Sequence, residues 1–536
     1  MVVIKDEKQN LINDIGATYY SKLNDFAGII GYSIEENDNE LKIEFNPDRP
    51  DLFSFYALKC NMKIFYDGNY RIKPVLGRSD TLLHADASSK AERPYAMSFF
   101  AHGKKLGKYY SHIIDYQEKL HENIGKSRKK MAIGIHDLDN ISPPFNFTMK
   151  NKETLEFTTY DNFHGTAKEI LEKHDKGKEF KKLISSDKMV PVILDKDNDV
   201  LSMPPIINGI KSRISENTSR LFFDITGTDY NAVLSAMYLF AYEMYYLGYE
   251  VSISDDNKEA IQYDWREIEL THREIQKLMG IEPENSTILL RKMGYRCDVM
   301  SGGYSVYVPG NRVDVMGPVD VIEDIAKAYG YGNIQLQPLN TGGTGTPFSF
   351  NEDENIIKDI LISINYQEVR TFVLNSGEFY RNTEYSGEVS IANPKSLEYS
   401  VIRDKLFPGM MNLLAINKRR KLPLKIFEAG DVVVSGKQEN HLSVIYSSSK
   451  ASYSDIYGVL EYLMHRTVNV DTKVLQGNHK EIIAGRGGDI IANNMNLGII
   501  GEMSPLLLQD FGIQNPVAFL EINLDNLFTL LKSNNA

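Results

Sequence analysis

Between Gln335 and Phe350 the chain reads Q-L-Q-P-L-N-T-G-G-T-G-T-P-F-S-F. Glycine loses the most backbone entropy on ordering, and proline removes a backbone donor, so this composition opposes helix and ladder alike. The segment is read as a linker, the clearest in the sequence. With 536 residues the chain is also too long for one hydrophobic core, since cores stop growing near about 250–300 residues. Three or four domains are expected.

Immediately before the linker, Tyr307 to Ile334 reads Y-V-P-G-N-R-V-D-V-M-G-P-V-D-V-I-E-D-I-A-K-A-Y-G-Y-G-N-I. Pro318 suits the first turn of a helix and Gly330 is a natural stop. Ile322, Ile325, Ala326 and Tyr329 recur at i, i+3, i+4, i+7, which makes one apolar face. Asp320, Glu323 and Asp324 fall on the opposite face, with Asp314 just upstream. Spacing leaves two readings open. Acids at a helix N-terminus are favoured by the macrodipole and form a solvated face. Alternatively, several carboxylates together can hold a hard cation such as Mg²⁺.

Arg312-Val313-Asp314, Asp320-Val321-Ile322-Glu323-Asp324 and Tyr329-Gly330-Tyr331 resemble the R-x-D, D-x-x-E-[ED] and Y-G-Y segments of the phenylalanine–tRNA synthetase beta chain family. The resemblance implies that Asp314, Asp320, Glu323 and Asp324 hold a magnesium ion at the contact with the alpha chain. The last of these positions is often Glu in that family and is Asp324 here, a shorter carboxylate that still coordinates.

Composition excludes several classes. The net charge of −12 argues against a chain that coats nucleic acid with its whole surface. Cys60 and Cys297 are the only cysteines, too few for a disulfide framework or a thiolate zinc cluster. The N-terminus M-V-V-I-K-D-E-K-Q-N has no apolar core for a signal peptide. Ala232 to Leu247 is the most apolar helical run, but it carries Glu243 and is too short to span a bilayer. No membrane association is expected, and a cytoplasmic location is.

Taken in order, residues 1–85 read as an N-terminal α+β domain, with Leu41 to Phe45 alternating as a strand. In N-P-D-R-P-D-L-F-S-F-Y-A-L-K (Asn46–Lys59) two prolines end the strand and Asp51 can cap a helix bearing Phe55, Leu58 and Met62 on one face. This segment resembles the N-P-x-R-x-D-L signature of archaeal and eukaryotic-type beta chains. Thr81 to Pro94, polar and rich in Ala and Ser, reads as a second linker.

Residues 95–250 alternate strands and helices. Ile124-Gly125-Lys126-Ser127 matches the tail of a phosphate-binding loop, but Leu120 stands where that motif needs glycine. Lys126, Arg128, Lys129 and Lys130 form a basic run, read as a solvated face, with RNA contact as the alternative. His136-Asp137-Leu138-Asp139 lacks a third metal ligand nearby and is read as turn chemistry. From Val200 to Tyr230, Pro204-Pro205 and Asn208-Gly209 impose an irregular loop. Leu221 to Thr226 is a strand with Phe222, Asp224 and Thr226 on one side and Leu221, Phe223 and Ile225 on the other. A carboxylate and a hydroxyl on one strand face beside a proline-rich loop suggest a pocket wall; a cap plus a turn explains them as well. The whole segment resembles the hydrolytic proofreading domain of archaeal and eukaryotic-type beta chains.

Residues 264–338 read as a compact helical module: Thr271-His272-Arg273-Glu274 is a capping box, and a second short helix runs from Thr287 to Met293. Two short helices and a strand also fit a helix-turn-helix, although no basic recognition face is visible. Residues 350–536 resemble a class II synthetase-like domain, an antiparallel sheet with flanking helices. The marks are Asn393-Pro394, Ile402–Asn417, Phe427–Val432 and Ile499–Pro505. An adenylate site needs phosphate-clamping arginines, yet Pro516 to Phe528 contains none, and the middle motif is degenerate around Arg403. A catalytically silent copy that scaffolds a partner is expected.

The fold expected is therefore α+β multidomain. The resemblance covers essentially the whole chain and implies the beta subunit of an ATP-dependent phenylalanine–tRNA ligase of archaeal or eukaryotic type, with no room for the extra domains of the bacterial chains. It implies an (alpha-beta)2 tetramer that binds tRNA(Phe), with ATP and the aminoacylation chemistry on alpha. In that setting residues 95–250 would hydrolyse tyrosine misattached to tRNA(Phe), with Asp224, Thr226 and Ser202 as candidate residues and a positioned water as nucleophile. The alternative is a non-catalytic nucleic-acid- or metal-binding scaffold; co-purification with an alpha chain distinguishes the two.

Overall fold

The computed structural model describes the chain except residues 1, 38, 69–75, 80–82, 255–262, 339–342, 344, 386, 388 and 536. It is a mixed α+β protein with several sheets, divided into two compact units, 1–338 and 339–536. The division falls inside the linker read at 335–350, of which 339–342 and 344 lie outside the described residues.

The first unit opens with an antiparallel sheet of β1 (Val2–Glu7), β2 (Ser33–Glu36) and β3 (Glu40–Phe45), in the order β1-β3-β2. Leu41, Ile43 and Phe45 point inward, as alternation demands. The two prolines end β3 and lead through a 3-10 turn, Pro50–Leu52, into helix α1 (Phe55–Asp67). Asp51 does not cap this helix. Ser54 does, because its extended backbone lets its Oγ accept from the N–H of Ala57 at 3.0 Å.

Two five-stranded sheets follow. One has the order β4 (Leu76–Ser79), β13 (Glu250–Ser254), β6 (Tyr95–His102), β12 (Arg220–Gly227), β7 (Met131–Asp137). The other has the order β11 (Ile207–Asn208), β10 (Val200–Met203), β9 (Met189–Leu194), β8 (Phe145–Asn151), β5 (Leu83–Ala85). The alternation read for Leu221 to Thr226 is the observed one. Leu221, Phe223 and Ile225 enter the main core under helix α3 (Tyr230–Tyr246). Phe222 faces the other sheet, stacking on Phe145 with centroids 4.2 Å apart.

The segment read as a linker at 81–94 is structured over its described part. Leu83–Ala85 pairs parallel to β8, and Ala87–Glu92 is a helix whose Asp86 cap accepts from Ser89 N at 2.8 Å. Its polar composition hid buried roles: Ser89 donates to Phe147 O, and Arg93 is 2% exposed. The unit ends with a three-stranded sheet, β14 (Arg266–Thr271), β15 (Arg296–Met300) and β16 (Gly303–Val308). Packed with it are helices α4 (His272–Met279), α5 (Ser286–Lys292) and α6 (Pro318–Tyr329).

The second unit is built on a seven-stranded sheet, antiparallel except for one short parallel edge strand, Gln367–Glu368. Helices Ser349–Ser363 and Tyr453–Thr467 contribute Ile357, Leu361, Leu460 and Leu463 to the core on one face. Helix Phe407–Ile416 contributes Phe407, Met410 and Met411 to a second core. Among the described residues no helix is long and apolar enough to cross a membrane.

Candidate functional site

A cavity of ≈ 150 Å³ opens in the first unit between helix α2 (Tyr109–Asn123), strand β7 and the turn after β10. Protein cavities of about this volume take up a benzene ring. Ile114, Ile133, Ile135, Ile206 and Ile214 give it apolar walls, and Ser202, Asn208 and Asp224 line it.

The proline loop differs from expectation. It is a tight hairpin, with Ser202 opposite Asn208 and Met203 opposite Ile207, closed by Ile206 N to Met203 O at 2.8 Å. The hairpin sets Ser202 beside Asp224, the hydroxyl 3.4 Å from Oδ2. Thr226, the third residue expected here, does not line the cavity. Its Oγ1 accepts from Arg93 Nε at 3.1 Å, and its carbonyl from Arg93 Nη2 at 2.6 Å. Asp224 itself is 1% exposed, and its Oδ2 lies 2.6 Å from His136 Nε2.

His136 therefore belongs to the site, not to a turn. Asp137 and Asp139 make the turn, Asp137 Oδ1 accepting from Asp139 N at 3.1 Å. Gly134 is what lets the strands fit. It sits opposite Asp224 on the neighbouring strand, and a Cβ there would lie 2.0 Å from Asp224 Oδ2.

The basic run is also not all solvated. Lys126, Lys129 and Lys130 are exposed, but Arg128 is buried and lines the cavity. Three successive left-handed residues, Lys126, Ser127 and Arg128 (φ 49°, 55°, 64°), turn it inward; such backbone costs about 1–3 kcal/mol per residue and is held only by its surroundings. Arg128 donates to the carbonyls of Pro205 (3.1 Å) and Ile206 (3.0 Å) and to Glu118 Oε1 (2.8 Å), tying hairpin to helix. Burial by itself would push the Glu118 carboxyl up, but His121, Arg128 and Lys176 together hold it down to about 2. Burial pushes His121 below its ordinary value, and its Nε2 accepts from Ile133 N at 2.8 Å, which leaves its ring proton on Nδ1.

The four acids read as a cation site lie elsewhere in the unit, and each has a protein partner. Arg312 grips Asp314 with Nε to Oδ1 at 2.9 Å and Nη2 to Oδ2 at 2.7 Å, and reaches Asp324 at 2.5 Å. Tyr295 donates to the same Asp324 oxygen at 2.5 Å. Asp320 accepts from Met316 N (2.7 Å) and Gly317 N (2.9 Å), closing the start of α6. Glu323 pairs with Lys327 on the surface at 3.2 Å. Arg49, from the N-P-D-R-P-D turn, forks onto Asp51 (2.8 Å twice) and stands 4.0 Å from Asp314. Two motifs some 260 residues apart in the chain (Arg49 and Arg312) thus meet in one buried ionic cluster. Burial would raise the Asp314 carboxyl, yet Arg312 and then Arg49 hold it below its ordinary value. The oxygen donors suit Mg²⁺, but their placement does not: among the described residues no three His, Cys, Asp or Glu side chains are grouped to hold a metal.

In the second unit Arg403 is 3% exposed and held through Nε and Nη1. It donates to Glu428 Oε1 (2.7 Å), Asp431 O (2.8 Å) and Thr371 Oγ1 (3.1 Å).

Three domain families match in succession: the B3/4 domain over 86–239, the tRNA synthetase B5 domain over 268–331, and the phenylalanyl tRNA synthetase beta chain CLM domain over 336–524. Two of the three are named for tRNA synthetases, which places the chain among the aminoacyl-tRNA ligases. The phenylalanine–tRNA ligase beta subunit of Thermoplasma volcanium is 41% identical, covering 98% of this chain and 99% of its own. That of Thermoplasma acidophilum is 37% identical over 98% of each. An N-terminal fragment of the phenylalanyl-tRNA synthetase beta-subunit from Pyrococcus horikoshii superposes with a TM-score of 0.55 at 27% identity, over 61% of this chain and all of the fragment. The chain belongs to the phenylalanine–tRNA ligase beta subunit family.

Proposed function

We propose that this chain assembles with an alpha subunit into a cytoplasmic (alpha-beta)2 phenylalanine–tRNA ligase. Alpha joins L-phenylalanine to tRNA(Phe) using ATP and its Mg²⁺, and the cavity bounded by Asp224 hydrolyses tyrosine wrongly joined to that tRNA. The observation that carries the hydrolytic reading is a ring-sized cavity with a buried carboxylate on its wall whose two donors both bond Oδ2. A synthetic pocket built for a phenyl ring rejects the hydroxylated isostere only about 10²-fold. A second cavity that hydrogen-bonds the hydroxyl has the opposite preference, since phenylalanine leaves its polar groups unpaired.

Asp224 recognises or orients a polar group, either the phenol hydroxyl or the attacking water. Ser202 Oγ lies a long 3.4 Å from Asp224 Oδ2 and, among the described residues, has no base–orienter pair of the triad kind beside it, so the attacking group on this reading is a positioned water. Water adds to the ester carbonyl, the tRNA hydroxyl leaves, and tyrosine departs with the added oxygen.

On the same reading the chain has four parts: an N-terminal domain (1–85), the proofreading domain (95–250), a small helical, metal-binding module (264–338) and a class II synthetase-like domain (350–536) that scaffolds alpha. The last is silent because Arg403 is committed to Glu428 and Thr371 and is not free to clamp phosphate. For Mg²⁺, which these acids as arranged here are not grouped to hold, Asp314, Asp320, Glu323 and Asp324 are the residues that would supply oxygen ligands in the assembled complex; no hydrolytic step depends on that ion. The test of the central reading is Asp224→Ala in the complex. Tyr-tRNA(Phe) accumulates while phenylalanine charging is retained; clearance at the parent rate would overturn it.

A further inference from the structure

Asp224 is so buried that its carboxylate must be paired to persist there, and the pairing is one-sided. His136 Nε2 at 2.6 Å and Ser202 Oγ at 3.4 Å both bond Oδ2. Among the described residues no donor bonds Oδ1, on a side chain that lines the cavity. His136 is 0% exposed and is not itself a lining residue. Its ring is fixed from two further sides: Phe222 stacks on it (centroids 5.6 Å, 30°), and Nδ1 lies 2.7 Å from Ser212 Oγ. Ser212 in turn donates to Leu201 O at 3.2 Å, in the strand that carries Ser202.

Resting on the hydrolytic reading above, we propose that His136 is a positioning residue. It pins Oδ2 of Asp224 so that Oδ1 alone addresses the substrate or the water. The proton between Nε2 and Oδ2 lies on the same line whichever atom carries it, so Oδ2 is engaged in every arrangement of the pair and Oδ1 stays open. A Ser-His-Asp relay with Ser212 as nucleophile does not fit, because Ser212 is 0% exposed and does not line the cavity. The notch is built for the pair, since a Cβ on Gly134 would meet Nε2 at 2.7 Å as well as Oδ2.

The test uses the assembled ligase and preformed Tyr-tRNA(Phe). His136→Leu removes the donor, and a misplacement of about 1 Å can cost on the order of 10²-fold in rate. Deacylation kcat falls on that scale with KM nearly unchanged. His136→Gln, which keeps an N–H able to reach Oδ2, recovers part of the loss, and phenylalanine charging is retained in both. If both variants deacylate like the parent, His136 does not position Asp224, although the hydrolytic reading survives. If both lose deacylation and phenylalanine charging together, His136 is only a core residue and the positioning role is overturned. If the parent does not clear Tyr-tRNA(Phe), the hydrolytic reading falls and this inference with it.

Discussion

The first unit buries carboxylates in two places with opposite outcomes. Around Arg312 and Arg49, Asp51, Asp314 and Asp324 each face a guanidinium, and Tyr295 takes up a further lone pair. Around Asp224 one oxygen is held by an imidazole and a hydroxyl, and the other has no protein donor among the described residues. The first arrangement joins distant stretches of chain: a turn at residue 49, the approach to α6, and Tyr295 just before β15. The second leaves capacity for a guest, next to a cavity the size of a ring. A buried acid is thus informative about chemistry only when its partners are counted. Carboxylates that each face a guanidinium give cohesion, and a carboxylate with one oxygen left without a donor beside a cavity is a candidate site.

The comparison breaks most readily at Arg312. Its removal by Arg312→Ala strands Asp314 and Asp324 without their main cation, and breaking a buried pair costs about 3–5 kcal/mol. Denaturant unfolding should show a loss on that scale; a loss near zero would mean that the cluster is not cohesive. At the cavity the sharper cut is Gly134→Ala. The added methyl falls on Asp224 Oδ2, so the carboxylate must move. Clearance of Tyr-tRNA(Phe) should drop on the order of 10²-fold, with a stability cost of about 1–3 kcal/mol from overpacking. Single-turnover deacylation measured beside thermal unfolding separates the two effects.

Much of this was legible in the sequence where the signal is periodic and local. Alternation in Leu221 to Thr226 put Asp224 on the face opposite Phe223, and the helical repeat in 318–329 gave the apolar face of α6. Partners were not legible. His136 reads locally as the start of a turn, because its neighbours Asp137 and Asp139 do make one; its own partner, Asp224, is 88 residues away. Arg128 sits in a run of cations, and nothing in Lys126-Ser127-Arg128 signals three left-handed residues, which usually call for Gly or Asn. The acids near α6 have the spacing of a ligand set, but spacing along one helix is blind to Arg49, which arrives from the far end of the unit. Thr226 shares a strand face with Asp224, yet Arg93, from a segment that looked like a linker, claims it first.

Acid provides a graded test of the ionic cluster. Asp314 is held below its ordinary value in the folded chain, so the unfolded state binds the proton more readily. Its contribution to stability is complete above the unfolded value of about 3.9 and is lost as pH falls from there through the folded value. Unfolding free energy should therefore decline below about pH 4 in the parent. In Asp314→Asn the decline should be shallower, and parallel curves would remove Asp314 from the cluster. Asp320 should matter less. It accepts two backbone N–H groups at the start of α6, and losing such a cap costs about 0.5–2 kcal/mol. Asp320→Ala should fall in that range by denaturant unfolding, well short of Arg312→Ala.

Glu323 should show the smallest effect on stability and for that reason separates the two fates of the acidic helix most cleanly. Its side chain is 52% exposed and its ion pair among the described residues is with Lys327, one turn along the same helix. Exposed pairs of that kind contribute about 0.3–0.5 kcal/mol, so Glu323→Ala should leave unfolding of the chain almost unchanged. If the four acids take up Mg²⁺ in the assembled complex, the same substitution removes one oxygen ligand from a cation that demands near-ideal octahedral geometry. The loss then appears in metal content and not in folding. Mass spectrometry of the complex after gel filtration should find less retained Mg²⁺ in Glu323→Ala and in Asp320→Ala than in the parent. Equal metal in all three would leave Asp320 as a helix cap and Glu323 on a solvated face, with Arg312 and Arg49 as the cations beside Asp314.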